Sequence, residues 1–137
     1  MLTAKEILAL QSIVRKIPIS EPILNYVLQI VRRTRSKTPE AFDFAKEWIS
    51  WGAGPRACQY LILGAKARAV LKGRLYVSSE DVKYVAYPVL RHRIITNYSA
   101  EAEGIKADNI IKLILEKTPY IEEKGVPSDK AAQIFRS

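Results

Sequence analysis

The stretch WGAGPRA, residues 51–57, holds the side chains of this sequence that are best suited to binding an anion. Two glycines and Pro55 precede Arg56, and an alanine- and leucine-rich segment follows it. A helix that begins here would offer backbone N–H donors and partial positive charge, and glycine lets a ligand approach the backbone. The guanidinium fork of Arg56 matches a phosphate group. We therefore predict that Arg56 contacts phosphate, with Gly54 and Pro55 shaping the helix start; the alternative is that Arg56 caps a neighbouring helix or forms a surface ion pair.

Motifs that would support catalysis by the chain itself are missing from the sequence. It contains no phosphate loop of the form G-x-x-x-x-G-K-[ST], no glycine-rich dinucleotide fingerprint, no nucleophile elbow and no H-E-x-x-H pair. A single cysteine, Cys58, and a single histidine, His92, are too few for a disulfide within the chain or a Cys/His zinc site. We expect no catalytic residue, no metal site and no ATPase activity from this chain alone.

Length and charge limit the classes of protein further. The 137 residues suit one domain, and 22 Lys and Arg against 14 Asp and Glu give a formal net charge of +8. Such a charge suits a polyanionic partner such as a nucleotide, a nucleic acid or an acidic protein face, but it could also serve solubility alone. No apolar stretch is long enough to span a bilayer and no signal pattern opens the chain, so we expect a cytoplasmic protein without membrane contact.

Helical periodicity accounts for the first third of the chain. Thr3 and Glu6 form a capping-box pattern and predict a helix over about residues 3–16. Ser20 begins a second helix that carries acidic and proline residues in its first turn and arginines at its end. Residues 36–51 have no clean period, and we expect a connecting segment with a turn of helix or a short strand at its end.

The remaining elements are also mostly helical. A central helix runs from Gly54 to about residue 72. It has two apolar sides, one formed by Tyr60, Gly64, Ala67 and Leu71 and the other by Cys58, Ile62 and Ala69. An extended piece around residues 76–77 precedes a helix that Pro88 should bend or end, and the last helix runs over about residues 107–118. The pattern predicts an all-α class, a small helical bundle with room for a short extended pair near residues 48–50 and 75–77.

Four strings carry a resemblance to a known family: IVRRTR, WGAGPRACQYLILGAKARAVLKGRLYV, SSEDVKYVAYPVLRHRI and NYSAEAEG. In this order and spacing they resemble the C-terminal lid domain of MoxR-type AAA+ ATPases. The resemblance covers about residues 1–117. We expect residues 118–137, which follow the last predicted helix, to form a loosely attached C-terminal tail.

The resemblance implies a role for Arg56. In the family, the arginine of the GxxPRA string is the sensor 2 residue, which reaches from the lid to the nucleotide phosphates. The family more often has a serine at the position of Gly54. The phosphates are held by a preceding core that binds ATP and Mg²⁺ and carries Walker A, Walker B, sensor 1 and the arginine finger, none of which occurs in this sequence. We therefore expect a nucleotide-sensing lid that closes over ATP bound by such a core, with no cofactor bound tightly to the lid itself.

Assembly and partners are implied in the same way. The family forms homo-oligomeric rings with chaperone-like work in the maturation of protein complexes, often beside a protein with a von Willebrand factor A domain. Arg91, His92 and Arg93 match the family's RHR string and are a candidate interface patch. The alternative is that they form a solvated helix end.

Two other classes of function are weighed against this one. The basic residues Arg32, Arg33, Arg35 and Lys37 could belong to a small nucleic-acid-binding module. That reading lacks a helix-turn-helix pattern, because the helix after the glycines is apolar on most sides and leaves few residues to reach base edges. The chain could also be an inert interaction scaffold, with residues of the tail such as Ile134 and Phe135 docking on a partner.

Overall fold

Seven helices and one small sheet make up the part of the chain that the computed structural model describes, residues 2–39 and 41–120. This confirms the all-α class. In chain order the elements are α1 (Ala4–Lys16), α2 (Glu21–Arg33), α3 (Asp43–Trp48), β1 (Ile49–Trp51), α4 (Pro55–Leu71), α5 (Ser79–Leu90), β2 (Ile95–Thr96), α6 (Tyr98–Ala102) and α7 (Ala107–Lys117).

Helix α4 lies at the centre and packs against α1, α2 and α5. Its buried stripe is one residue in four: Ala57, Leu61, Ala65 and Ala69. Of the two predicted apolar sides, the one with Tyr60 and Leu71 was wrong, since both are exposed, and the other contributes only Ala69 to the buried stripe. A helix that is apolar on most sides gives no dominant stripe, and here the small side chains face inward because they let α5 approach closely. At Gly64, a Cβ would lie only 3.4 Å from Val85.

The core around α4 is built from the apolar faces of three other helices. Helix α2 contributes the largest set, and α5 and α7 close the core from the other sides. Each large aliphatic side chain that is fully buried stabilises the fold by roughly 1.5–3 kcal/mol relative to an exposed one. The buried residues are Ile23, Tyr26, Val27, Ile30 and Val31 of α2; Val82, Val85, Ala86 and Leu90 of α5; and Ile110, Ile111, Ile114 and Leu115 of α7.

The sheet joins two segments far apart in sequence. Strand β1 pairs antiparallel with β2, and Trp51 lies opposite Ile95. The strand expected near residues 48–50 is therefore present, but its expected partner near residues 75–77 is wrong, because that segment forms no strand. The partner is fixed by tertiary contacts: the Asn97 backbone N–H donates to the Trp48 carbonyl at 2.8 Å. Helix α6, which follows β2, was not predicted.

Helix ends follow local chemistry closely. The Thr3–Glu6 capping box is confirmed at the start of α1, and Ser78 and Asp81 form a second one at the start of α5. Gly73 ends α4 with a φ of +76°, a left-handed conformation that glycine adopts without a steric penalty. Helix α5 continues for two residues beyond Pro88, since a proline in the last turn removes only one helical hydrogen bond.

The predicted tail begins beside the core. Thr118 is buried, and the ring of Tyr120 packs edge to face against Tyr26 with centroids 5.6 Å apart. Burial raises the pKa of Tyr26 to about 12. Ile134 and Phe135 lie outside the described residues, and the boundary at residue 118 stays a prediction.

Helix α1 buries none of its residues. Its apolar positions Ile7, Leu10 and Ile13 are spaced for one face of the helix, yet each is exposed. The first buried apolar side chain of this region is Ile17, at the C-cap. This apolar face of α1 is open in the described structure.

Candidate functional site

The loop before α4 is clamped to the end of α2. Thr34, the C-cap residue of α2, is fully buried, and its hydroxyl accepts a hydrogen bond from the Ala53 backbone N–H at 3.0 Å. The same hydroxyl donates to the Val31 carbonyl at 2.6 Å. Gly52 lies so close that a Cβ there would overlap the Thr34 carbonyl oxygen and lie 2.6 Å from its carbon. Only glycine fits at position 52, and the clamp fixes where α4 begins.

Arg56 occupies the first turn of α4 with its side chain exposed. Within residues 2–39 and 41–120, its guanidinium has neither a hydrogen bond nor an ion pair. The two alternatives weighed from sequence, a helix cap and a surface ion pair, are thus not realised among these residues. The first turn of α4 contains no acidic residue that would offset the positive end of the helix dipole.

Gly54 and Pro55 form the helix start as the sequence predicts. Gly54 is the N-cap in an extended conformation, and Pro55 takes a first-turn position that suits its fixed φ. Gly54 provides no side-chain cap, and a Cβ there would meet nothing within 4 Å. A small side chain such as serine would therefore fit at this position without displacing a neighbour.

Further positive charge lies near the start of α4. Burial raises the pKa of the Cys58 thiol, while its own backbone hydrogen bond and the charges of Arg32 and Arg35 lower it in part. The charges of these two arginines, Arg32 in the last turn of α2 and Arg35 just after its C-cap, therefore reach Cys58 near the start of α4. Both are exposed. With Arg56, they place three exposed arginines near the start of α4.

The basic cluster at residues 32–37, which spans the end of α2 and the segment after it, does not present four equivalent side chains. Arg33 turns away to donate to the Lys117 carbonyl at 3.3 Å, and its guanidinium lies 4.7 Å from the centroid of the Phe42 ring. An arginine held in this way is not available to contact a phosphate backbone. The observation weakens the nucleic-acid reading, which depended on the cluster as a whole.

Two of the three residues of the RHR string have partners within the domain, although Arg91 is exposed. Arg91 forms a two-point ion pair with Asp108, at 2.7 and 3.0 Å. Arg93 donates to the Val89 carbonyl at 2.9 Å and lies over the Tyr60 ring, 4.7 Å from its centroid. His92 is exposed. The interface role of this patch stays a prediction.

A buried carboxylate that sequence reasoning missed joins α4, α5 and the turn between them. Asp81 is fully buried and pairs with Arg68 at 2.8 Å and Arg74 at 2.6 Å. Burial alone would raise the pKa of Asp81, but hydrogen bonds from the Ser78 backbone N–H, Arg74 and Arg68 outweigh it and hold the pKa below its usual value. Ser78 and Asp81 stand three residues apart, which is the spacing of a helix cap and could be read from the sequence, but nothing in the sequence connects Asp81 with Arg68.

Two searches of the described residues gave negative results. No group of three or more His, Cys, Asp or Glu side chains within residues 2–39 and 41–120 is placed to hold a metal ion. Over the same part of the chain, every helix is too short or too polar to cross a membrane.

Comparison with known proteins places this geometry in a family. The family model described as the AAA lid domain matches residues 43–114, more than half of the chain. The chaperone MoxR1 of Mycobacterium tuberculosis is 32% identical over 127 residues, which is 93% of this chain and 34% of the relative. The protein MoxR of Paracoccus denitrificans is 40% identical over 57 residues, 42% of this chain and 17% of the relative.

A solved structure agrees with the sequence matches. The crystal structure of a candidate ATPase from Cytophaga hutchinsonii superposes with a TM-score of 0.80 at 39% identity, covering 86% of this chain and 36% of the other. The chain thus spans about a third of the length of MoxR1 and of this ATPase. The family model covers the chain from α3 to most of α7, which includes Arg56 and the RHR string. The chain belongs to the AAA lid domain family, in the form found in MoxR-type AAA+ ATPases.

Proposed function

We propose that this domain is the nucleotide-sensing lid of a MoxR-type ATPase and that Arg56 is its sensor 2 arginine. In this role the lid closes over ATP and Mg²⁺ held by a core domain, and the Arg56 guanidinium hydrogen-bonds a phosphate oxygen. Charge-assisted hydrogen bonds of this kind contribute about 1.5–3 kcal/mol. The lid supplies no catalytic residue, because the phosphate cradle and Mg²⁺ ligands belong to the core.

One observation carries the proposal: an exposed arginine without a side-chain partner in the described chain stands at the start of a clamped helix. Surface arginines in first turns are disfavoured by the helix dipole unless an anion offsets the charge. Here neither the first turn nor any described neighbour supplies one. A nucleotide phosphate approaching this end of the domain would supply it.

The open face of α1 supports packing against a core domain. Contiguous exposed apolar side chains on one helix face commonly mark an interaction surface. Ile7, Leu10 and Ile13 form such a face, and Lys5 and Arg15 border it. We propose that the ATPase core of the same polypeptide covers this face, which would also hold α1 against the lid.

The wider setting of the proposal follows the family. The parent protein would form a homo-oligomeric ring in the cytoplasm and support chaperone-like maturation of protein complexes, with a von Willebrand factor A domain protein as a partner. Within the ring, His92 is an exposed member of the RHR string without a described partner side chain, and it could contact a neighbouring subunit.

The test is substitution of Arg56 in a complete MoxR-type ATPase that carries this lid. Arg56→Ala should reduce nucleotide affinity or steady-state turnover by roughly 10- to 150-fold, the equivalent of one charge-assisted hydrogen bond. Its melting temperature should stay near that of the wild type, because the side chain has no described contact to lose. A variant with unchanged affinity and turnover would refute the role of Arg56.

The matched control is Lys72→Ala. Lys72 is exposed at the other end of the same helix, sixteen residues from Arg56 and thus about 24 Å away by helical rise. It should leave turnover unchanged. Arg68 lies on the same helix but is unsuitable as a control, because its loss would leave buried Asp81 with one fewer partner and destabilise the lid.

A further inference from the structure

Thr34 at the end of α2 holds the loop before α4 through its hydrogen bond to Ala53 and its close contact with Gly52; we call these contacts the clamp. The inference drawn from them rests on the function proposed above. We propose that Thr34 is a positioning residue for nucleotide sensing. Through its hydroxyl and its close contact with Gly52, it holds the loop 52–54 so that Arg56 points where a phosphate can be reached. Thr34 would not touch the nucleotide.

The geometry of the clamp is unusually specific for a helix end. A single buried hydroxyl serves two backbone groups, accepting from the Ala53 N–H and donating to the Val31 carbonyl. Both hydrogen bonds are inside the protein, where an unsatisfied backbone group is costly. The loop and the end of α2 are nineteen residues apart in sequence but are joined at this one side chain.

Gly52 lets the loop approach the end of α2 more closely than any other residue would allow. A Cβ at this position would overlap the Thr34 carbonyl and lie 2.9 Å from the Arg35 Cα, both backbone groups that cannot rotate away. No positive φ requires glycine at position 52, so the requirement is close approach. Thr34 on α2 and Gly52 on the loop therefore together fix the distance between the end of α2 and the start of α4.

Arg56 lies three residues beyond Ala53, with only Gly54 and Pro55 between them. Gly54 makes no side-chain contact and has open space around it, so it cannot hold the helix start by itself. The nearest fixed point for Arg56 on the loop side is therefore the Thr34–Ala53 hydrogen bond. A hydrogen bond to phosphate weakens steeply when its geometry changes, so the clamp should matter for Arg56 more than for the fold.

The first experiment tests the clamp without nucleotide. In the 137-residue chain, Thr34→Val keeps the shape of the side chain but removes the hydroxyl, and Thr34→Ser restores it. Amide exchange at Ala53 should become about 2- to 10-fold faster in Thr34→Val and return towards wild type in Thr34→Ser. Exchange at Leu61, in the buried stripe of α4, serves as the internal control. Equal Ala53 exchange in all three proteins would overturn the clamp.

The second experiment tests the link to sensing, in a complete MoxR-type ATPase that carries this lid. Thr34→Val should lower nucleotide affinity or turnover by roughly 3- to 10-fold, Thr34→Ser should recover it, and Thr34→Val should add nothing in an Arg56→Ala background. Additive losses in the double variant would show that Thr34 acts only through stability. Should Thr34→Val fail to fold, Thr34→Ala removes the same hydroxyl without adding bulk and must give the same non-additivity.

The outcomes separate the two proposals. If Arg56→Ala has no effect on affinity or turnover, the nucleotide-sensing function fails, whatever Thr34 does. If Arg56→Ala lowers turnover and folded Thr34→Val does not, the function stands and the positioning role of Thr34 is overturned.

Discussion

Helices α1 and α2 are both thirteen residues long and amphipathic, and both carry basic residues in the last turn. Yet α2 buries five side chains and α1 buries none. Periodicity identifies an apolar face in each helix but says nothing about what covers it. The difference teaches that one sequence pattern describes both a core element of this lid and a surface that we propose for its interface with a core domain.

The largest expected effect tests the buried side of this comparison. Ile30 is fully buried on α2, so Ile30→Ala should lower the free energy of unfolding by about 2–5 kcal/mol through lost burial and a residual cavity. Denaturant unfolding followed by circular dichroism measures the change. A loss below 1 kcal/mol would show that α2 is as weakly integrated as α1.

A smaller effect on the free energy of unfolding is expected from the ion pairs, where a buried carboxylate, Asp81, can be compared with an exposed one, Asp108. Asp81→Ala should cost about 1.5–3 kcal/mol, because Arg68 and Arg74 lose charge-assisted hydrogen bonds at a buried site. The exposed pair of Arg91 and Asp108 offers the matched control: Asp108→Ala should cost clearly less than Asp81→Ala, because solvent screens an exposed ion pair. Equal losses in the two variants would contradict the distinction between buried and exposed pairs.

The pH dependence of stability tests the buried ion pairs of Asp81 in a second way. The folded-state pKa of Asp81 lies below its ordinary value of 3.8, so its contribution is fully present above that value and is lost as pH falls through the folded pKa. The stability difference between wild type and Asp81→Ala should therefore be constant from pH 7 to about pH 5 and shrink in more acidic solution. Denaturation midpoints across this range provide the measurement, and a difference that grew on acidification would have the wrong sign.

The smallest effect belongs to the open face of α1. Ile13 is 47% exposed, so Ile13→Ala in the 137-residue chain should change the free energy of unfolding by no more than about 0.5 kcal/mol. In a complete ATPase, the same substitution should be more destabilising if a core domain covers this face. Equal small effects in both settings would count against that contact.

Much of the helical framework could be predicted because its signals are local. The capping box at Thr3, the proline at position 55 and the glycine at position 73 each act within about one helical turn, and each marks an end that the structure has. The strand predicted near residues 75–77 was wrong because it depended on a distant contact. The extended piece around residue 76 has strand-forming side chains, but a strand also needs a partner alongside, and β1 is paired with β2 instead.

The candidate site also contains residues that could be predicted from the sequence and one that could not. Gly54, Pro55 and Arg56 could be identified from the sequence, since glycine, proline and arginine at a helix start have physical roles that depend on neighbours in the chain. Thr34 could not be connected with them. A threonine at the end of a helix usually serves its own backbone, and only the packing of α2 on α4 brings its hydroxyl to Ala53.

The sequence by itself determined most helix boundaries, the all-α class and the place of Arg56 in the first turn of α4, because each depends on interactions between residues three or four positions apart. Tertiary structure alone decided that Ala57, Leu61, Ala65 and Ala69 form the buried stripe of α4 and that Arg68 pairs with buried Asp81. These choices depend on which helices meet. A helix that is apolar on most sides can bury several stripes equally well, and only the shape of its neighbours selects one.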